Sequence, residues 1–137
     1  MDGCIFCAIV NGTAPARRIY EDDQAIAFMD INPATDGHAL VIPRAHVRDL
    51  WDIDEPAASN VMAASVRVAA QMRKALEPDG INILHATGAA AFQTVFHFHL
   101  HLIPRYLGDP IKLPWVPRPG DRTKIDSLAE KIASAAP

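Results

Sequence analysis

The chain has 137 residues, half of them hydrophobic and 21% charged, and its 13 Lys and Arg against 16 Asp and Glu give a formal net charge of −3. That composition belongs to a folded globular chain of one domain and excludes a disordered one. It also lacks the basic face that non-specific nucleic-acid binding needs and any apolar run near the roughly 18 residues of a membrane span, and Met1-Asp2-Gly3-Cys4 carries no secretory pattern.

Residues 4–10 are apolar and stop at the turn pair Asn11-Gly12. Residues 19–21 and 25–29 read as short strands split by Asp22-Asp23, and 38–42 as a third, stopped by Pro43. Connections this short suit an antiparallel meander. A long helix is predicted over 56–76, with Pro56 in its first turn. Ala58, Val61, Met62, Ser65, Val68, Ala69, Met72 and Leu76 form its apolar stripe, so Met62 and Met72 read as core filler. Pro78-Asp79-Gly80 stops it. A strand over 81–84 follows, then a loop from Gly88 to Phe92, then a long strand over 95–103 ended by Pro104. Residues 104–123 contain five prolines and read as irregular. A short helix over 124–135 places Ile125, Leu128 and Ile132 on one face. The predicted fold class is α+β, a mostly antiparallel sheet with one long helix and a short C-terminal helix.

Three of the six histidines fall within five residues, in Val95-Phe96-His97-Phe98-His99-Leu100-His101-Leu102-Ile103. Alternation along a strand turns His97, His99 and His101 one way, and Phe96, Phe98, Leu100 and Leu102 the other way, into the core. Adjacent imidazoles cannot all carry charge, so some stay neutral near pH 7. A neutral imidazole is a metal ligand and a nucleophile.

Cys4-Ile5-Phe6-Cys7 has the spacing of a zinc half-site. A redox pair or two buried thiols are the other readings. Two cysteines make no disulfide framework, which favours a cytoplasmic chain with reduced thiols. His46 and one histidine of the triplet are candidates to complete a zinc set. His38 opens a strand and His46 follows one, where a lone histidine is more often a surface or core residue, but their company with the triplet changes that weighing; His85, at the end of the strand over 81–84, is evenly balanced between a structural and a functional role.

His97-Phe98-His99-Leu100-His101-Leu102-Ile103 resembles the His-x-His-x-His-x-x signature of the histidine triad family. The likeness extends in order through Cys4-Ile5-Phe6-Cys7, Tyr20-Glu21-Asp22-Asp23, Phe28-Met29-Asp30-Ile31-Asn32-Pro33, Gly37-His38-Ala39-Leu40-Val41-Ile42-Pro43, His46 and Gln93-Thr94-Val95-Phe96-His97. It covers about residues 4–105 of one unit spanning 1–137, with 106–137 a Pro-rich extension plus short helix, and its nearest branch is bacterial, with the N-terminal CxxC.

The resemblance implies a homodimer that binds a purine nucleotide. It implies cleavage at the α-phosphate of nucleoside phosphoramidates or related conjugates through a nucleotidyl-histidine on His99. Dinucleoside polyphosphate hydrolysis, nucleotidyl transfer, or nucleotide binding without catalysis are the alternatives. His101 and His38 would complete the catalytic set. Asp30 would hold the ribose, and Ile31, Phe6 and Leu40 would surround the base. Gln93 and Thr94 would contact the phosphate. Cys4, Cys7, His46 and His97 would hold a structural zinc. Trp115 would either pin the Pro-rich segment or shape the leaving-group side.

The loop before the triad departs from the family pattern. Ala86 stands where an Asn is expected, Phe92 where a Gly precedes the Gln, and Thr94 where a Ser is usual. The lost Asn removes a donor near the phosphate, which His85 or Thr87 would have to replace.

Overall fold

A computed structural model describes residues 1–137. Helix α1 (Ile5–Val10) leads into strands β1 (Arg18–Glu21), β2 (Ala25–Met29) and β3 (Ala39–Pro43). Helix α2 (Glu55–Leu76) and strand β4 (Gly80–Leu84) follow. A single 3-10 turn (Ala89–Ala91), strand β5 (Leu100–Arg105) and helix α3 (Arg122–Ala133) complete the chain. The five strands form one antiparallel sheet in the order β1-β2-β3-β5-β4. The architecture is the expected α+β fold.

Residue size sorts the two faces of the sheet. On one face Ala25, Ala27, Ala39, Val41 and Leu102 pack against Val61, Ala64, Val68 and Met72 of α2. Alanines in β2 and β3 let the long helix lie close. On the other face Ile26, Phe28, Leu40 and Ile42 pack against Phe6 and Ile9 of α1. Burying such a large apolar side chain stabilises by roughly 1.5–3 kcal/mol relative to exposure. Both faces being covered explains why β2 and β3 are buried almost throughout.

Asp54 caps α2 by accepting from the Ala57 N–H at 2.8 Å. The helix ends at Glu77, which turns into the left-handed region. Two members of the expected stripe are not in the core: Met62 is 46% and Leu76 43% exposed, while Ala64, outside that stripe, is buried. Leu76 instead leans on Gly37, where a Cβ would sit 2.4 Å from its Cδ1. Gly37 has φ +91°, a conformation that favours glycine, and a larger residue there would also displace the Leu76 tip. That turn delivers His38 to the start of β3.

The expected long strand over 95–103 is shorter and later. Residues 95–97 bend, and β5 begins only at Leu100. Phe98 donates its N–H to the Val47 carbonyl at 2.7 Å, outside the sheet. Simple alternation fails as a result: His97, Phe98 and His99 are all buried, and Phe96 is 38% exposed beneath the Arg48 guanidinium. Phe98, Leu100 and Leu102 do face the core. β5 also continues through Pro104, because β3 pairs with it only as far as Leu102 and leaves that side free. The C-terminal helix starts two residues before the expected position, capped by Asp121. Its Ile125, Leu128 and Ile132 are exposed, as is Trp115, so Trp115 does not pin the Pro-rich segment as a buried aromatic.

Candidate active site and metal centre

Leu40 and His101 are cross-strand partners, and Leu40 lies on the sheet face opposite α2. The histidines of the triad therefore sit on the α1 side. Phe6 of α1 meets them edge-on, 5.2 Å from the His99 ring and 5.9 Å from the His97 ring by centroids.

The structure brings Cys4, Cys7, His46 and His97 together, with one donor atom from each within 4.8 Å of the others. His97 is fully buried and bonds the Pro43 carbonyl through Nε2 at 2.8 Å. That bond places the ring proton on Nε2 and leaves the Nδ1 lone pair facing the sulfurs, 3.6 Å from each. His46 Nδ1 lies 3.2 Å from the Cys7 sulfur. A tetrahedral zinc with Zn–S near 2.3 Å and Zn–N near 2.0 Å separates sulfur and nitrogen by about 3.5 Å. The donors thus fit zinc, and four protein ligands leave no open position. Burial pushes the Cys7 thiol up, a shift that a cation would reverse.

The remaining histidines are ordered by hydrogen bonds to the backbone. His99 donates Nδ1–H to the His97 carbonyl at 2.7 Å, so its Nε2 carries a free lone pair. The Ala34 N–H donates to His38 Nδ1 at 2.9 Å, which puts the His38 proton on Nε2. That proton faces His101 Nδ1 at 2.9 Å, with Asp30 Oδ2 at 3.4 Å. His101 accordingly carries its own proton on Nε2. Asp30, His38 and His101 also have metal-ligand spacing. With its Nδ1 accepting from Ala34 and its Nε2 protonated, however, His38 has no lone pair for a cation. The group fits a hydrogen-bonded relay and not a second metal centre. The Ala34 amide had no signature in the sequence, because any non-proline residue carries one.

Burial pushes His99 below the usual imidazole range, against the pull of its bond to the His97 carbonyl. Burial also lowers His38, opposed by Asp30. His101 is pushed down to about 4 by burial, with His99 and His38 adding to the shift. The rings are therefore neutral at pH 7.

Other expected site residues are placed less uniformly. Phe6 and Leu40 are buried beside the triad, whereas Ile31 is 91% exposed. Gln93 is buried and its amide is taken up by backbone: it accepts from the Gly88 N–H and donates to the Arg48 and Val95 carbonyls. Thr94 is exposed in a cleft with Cys4, His46 and Arg48, which no triad histidine lines. His85, only a weak candidate by sequence, contacts the backbone carbonyl of His99.

A family model described as the HIT domain matches residues 11–108. The chain is 38% identical over 141 aligned residues to "Protein hit" of Bacillus subtilis, covering 98% of this chain and 97% of that one. A Zn-bound histidine triad family protein from Mycobacterium smegmatis superposes with a TM-score of 0.77 at 42% identity, covering 97% of this chain and 98% of that one. A histidine triad nucleotide-binding protein from Candida albicans superposes with a TM-score of 0.83 at 31% identity, covering 96% and 95%.

Two solution measurements check this geometry. The unfolded chain takes up a proton on His101 near pH 6.5, but the folded chain does so only near pH 4. Stability is then fully present above about 6.5 and falls as pH drops toward 4. The urea midpoint should decrease between pH 7 and pH 5, and His101→Asn should reduce the slope; an unchanged wild-type midpoint would contradict a neutral His101. Separately, stripping zinc with a strong chelator should lower the thermal midpoint by roughly 10 °C or more, since the ion's binding energy is partly folding energy. A zinc-loaded protein whose midpoint ignores the chelator would count against a structural ion.

Proposed function

Because the chain belongs to the histidine triad (HIT) family, we propose that it binds a purine nucleotide and cleaves phosphoramidates or related nucleotide conjugates at the α-phosphate. The observation that carries this reading is the His99 Nδ1–H bond to the His97 carbonyl, which leaves Nε2 unprotonated and nucleophilic. Burial keeps the ring neutral, and a neutral ring can attack.

In the first step the Nε2 lone pair forms a bond to phosphorus and the phosphorus–nitrogen bond of the substrate breaks. His101 Nε2–H faces the reacting phosphate as a donor. The anionic phosphate raises the proton affinity of the buried rings, so a proton enters from solvent with the substrate. That proton goes to the departing amine. In the second step water attacks phosphorus, the bond to His99 breaks and returns its electron pair to Nε2, the proton that water loses goes to solvent, and the nucleoside monophosphate leaves with the water oxygen. Asp30, half-buried beside His38, is the acceptor for ribose hydroxyls. Phe6 and Leu40 supply the apolar wall against the base, with Ile31 at its rim. Gln93 shapes the loop before the triad by holding its backbone.

Zinc on Cys4, Cys7, His46 and His97 ties the N-terminus to the triad strand and takes no part in the chemistry. The exposed apolar edge of β4, Ile83 and Leu84, supports pairing of two copies. The two free thiols support a reducing, cytoplasmic setting. No helix is long and apolar enough to cross a membrane.

Wild type should release the amine from an adenosine phosphoramidate reporter. His99→Ala should lose at least ~10³-fold in kcat while still folding and loading zinc. A folded wild type that binds AMP and turns over no such conjugate would refute the hydrolase reading. Light scattering should give the mass of two chains, and Leu84→Asp should give one. A wild-type mass of a single chain would rule out the dimer.

A further inference from the structure

Residues 97–99 of the triad segment lie outside the sheet, while His101 is paired within it on both sides. β4 and β5 are in register from Gly80 opposite Arg105 to Leu84 opposite His101. Two residues further on, that register would bring Ala86 opposite His99. The ladder stops first: β4 ends at Leu84 and β5 begins at Leu100. The residue that carries the nucleophilic ring therefore lies just beyond the last paired residues.

A side chain stands where the ladder stops. His85 Nδ1 lies 3.0 Å from the His99 carbonyl oxygen. Its Nε2 lies 2.6 Å from Thr87 Oγ1, and that oxygen accepts from the Leu50 N–H at 3.0 Å. The His99 carbonyl can only accept, so the His85 ring proton is on Nδ1, and the Thr87 hydroxyl donates to the unprotonated Nε2. The His85 ring also stacks on Phe98, with centroids 4.5 Å apart and planes 26° apart. Three contacts thus fix one half-buried imidazole: the His99 carbonyl, the Thr87 hydroxyl and the Phe98 ring.

We propose that His85 is a positioning residue for His99: its Nδ1–H takes the place of a ladder hydrogen bond to the His99 carbonyl, and Thr87 holds it in the tautomer that can donate. The inference rests on His99 being the nucleophile. The His99 ring takes its own orientation from the His97 carbonyl two residues earlier. Both ends of that local bond belong to the segment that His85 braces. Release of the brace lets the backbone of 97–99 move, and the lone pair on His99 Nε2 moves with it. Misplacement of a reacting atom by about 1 Å reduces rate by about 100-fold.

The test uses two variants of the full-length, zinc-loaded protein. His85→Phe keeps an aromatic ring on Phe98 and loses the donor. His85→Asn loses the ring but carries an amide N–H as many bonds from Cα as Nδ1. On an adenosine phosphoramidate, His85→Phe should lower kcat by about 10- to 100-fold with KM changed less than about 3-fold. His85→Asn should recover most of that loss. Equal rates for His85→Phe and wild type, or equal losses in both variants, would overturn the proposal. Ring ¹⁵N spectra without substrate provide a readout independent of turnover. His99 should be a single Nδ1–H tautomer in wild type and His85→Asn, and a mixture in His85→Phe. A single tautomer in all three would also overturn the positioning role. A wild type with the expected spectra and no turnover would instead remove the nucleophile reading and leave the brace standing.

Discussion

One buried imidazole links the parts on which the site depends. His97 is fully buried and uses three polar groups in three directions. Nε2–H goes to the Pro43 carbonyl at the end of β3. Nδ1 faces the thiols of Cys4 and Cys7 on α1. Its backbone carbonyl accepts the His99 ring proton. A single residue therefore joins the N-terminal helix, the central sheet and the His99 ring. α1 has six residues and would be marginal as a helix alone. The thiol ligands and the packing of Phe6 and Ile9 hold it in place. Zinc in this fold acts as a clamp on that junction.

The sheet explains why the clamp and the catalytic rings share one side. Small residues in β2 and β3 turn toward α2, and large ones turn toward α1. The helix covers β2, β3 and Leu102 of β5 on one face. The other face is covered only in part by α1, and the remaining opening is where His38, His99 and His101 meet. The Gly37 turn serves the same end from the other direction. Leu76 fills the space that a Cβ would need, and the chain swings His38 against His101.

Within that opening, backbone groups assign the protons. Carbonyls of Pro43 and His97 and the amide of Ala34 each fix one tautomer. The outcome is two different tools from one residue type. His99 offers a lone pair, and His101 offers an N–H. Burial keeps both neutral before substrate arrives, and the nearby Asp30 carboxylate is the only acidic group within ion-pair reach of His38 and His101.

Much of this was legible in the residues themselves. The helical stripe, the Pro and Gly stops and the short strand runs marked α2 and the meander, because periodicity reflects which face is buried. The spacing of His97, His99 and His101 and the Cys4–Cys7 pair announced chemistry, with His46 a candidate beside them, and likeness to a family supplied Asp30 and the roles of His38 and His46. The tertiary structure alone decided where alternation stops. The bend at 95–97 buries three consecutive residues, because zinc ligation by His97 and the Val47 carbonyl compete with the sheet for that segment. It alone decided that Met62 lies outside the core and Gln93 serves the backbone. The same holds for His85, which braces the nucleophile's segment. Sequence patterns record burial along one element at a time. Tautomers, clamps and braces depend on which backbone groups from distant elements converge, and that convergence exists only once the chain has folded.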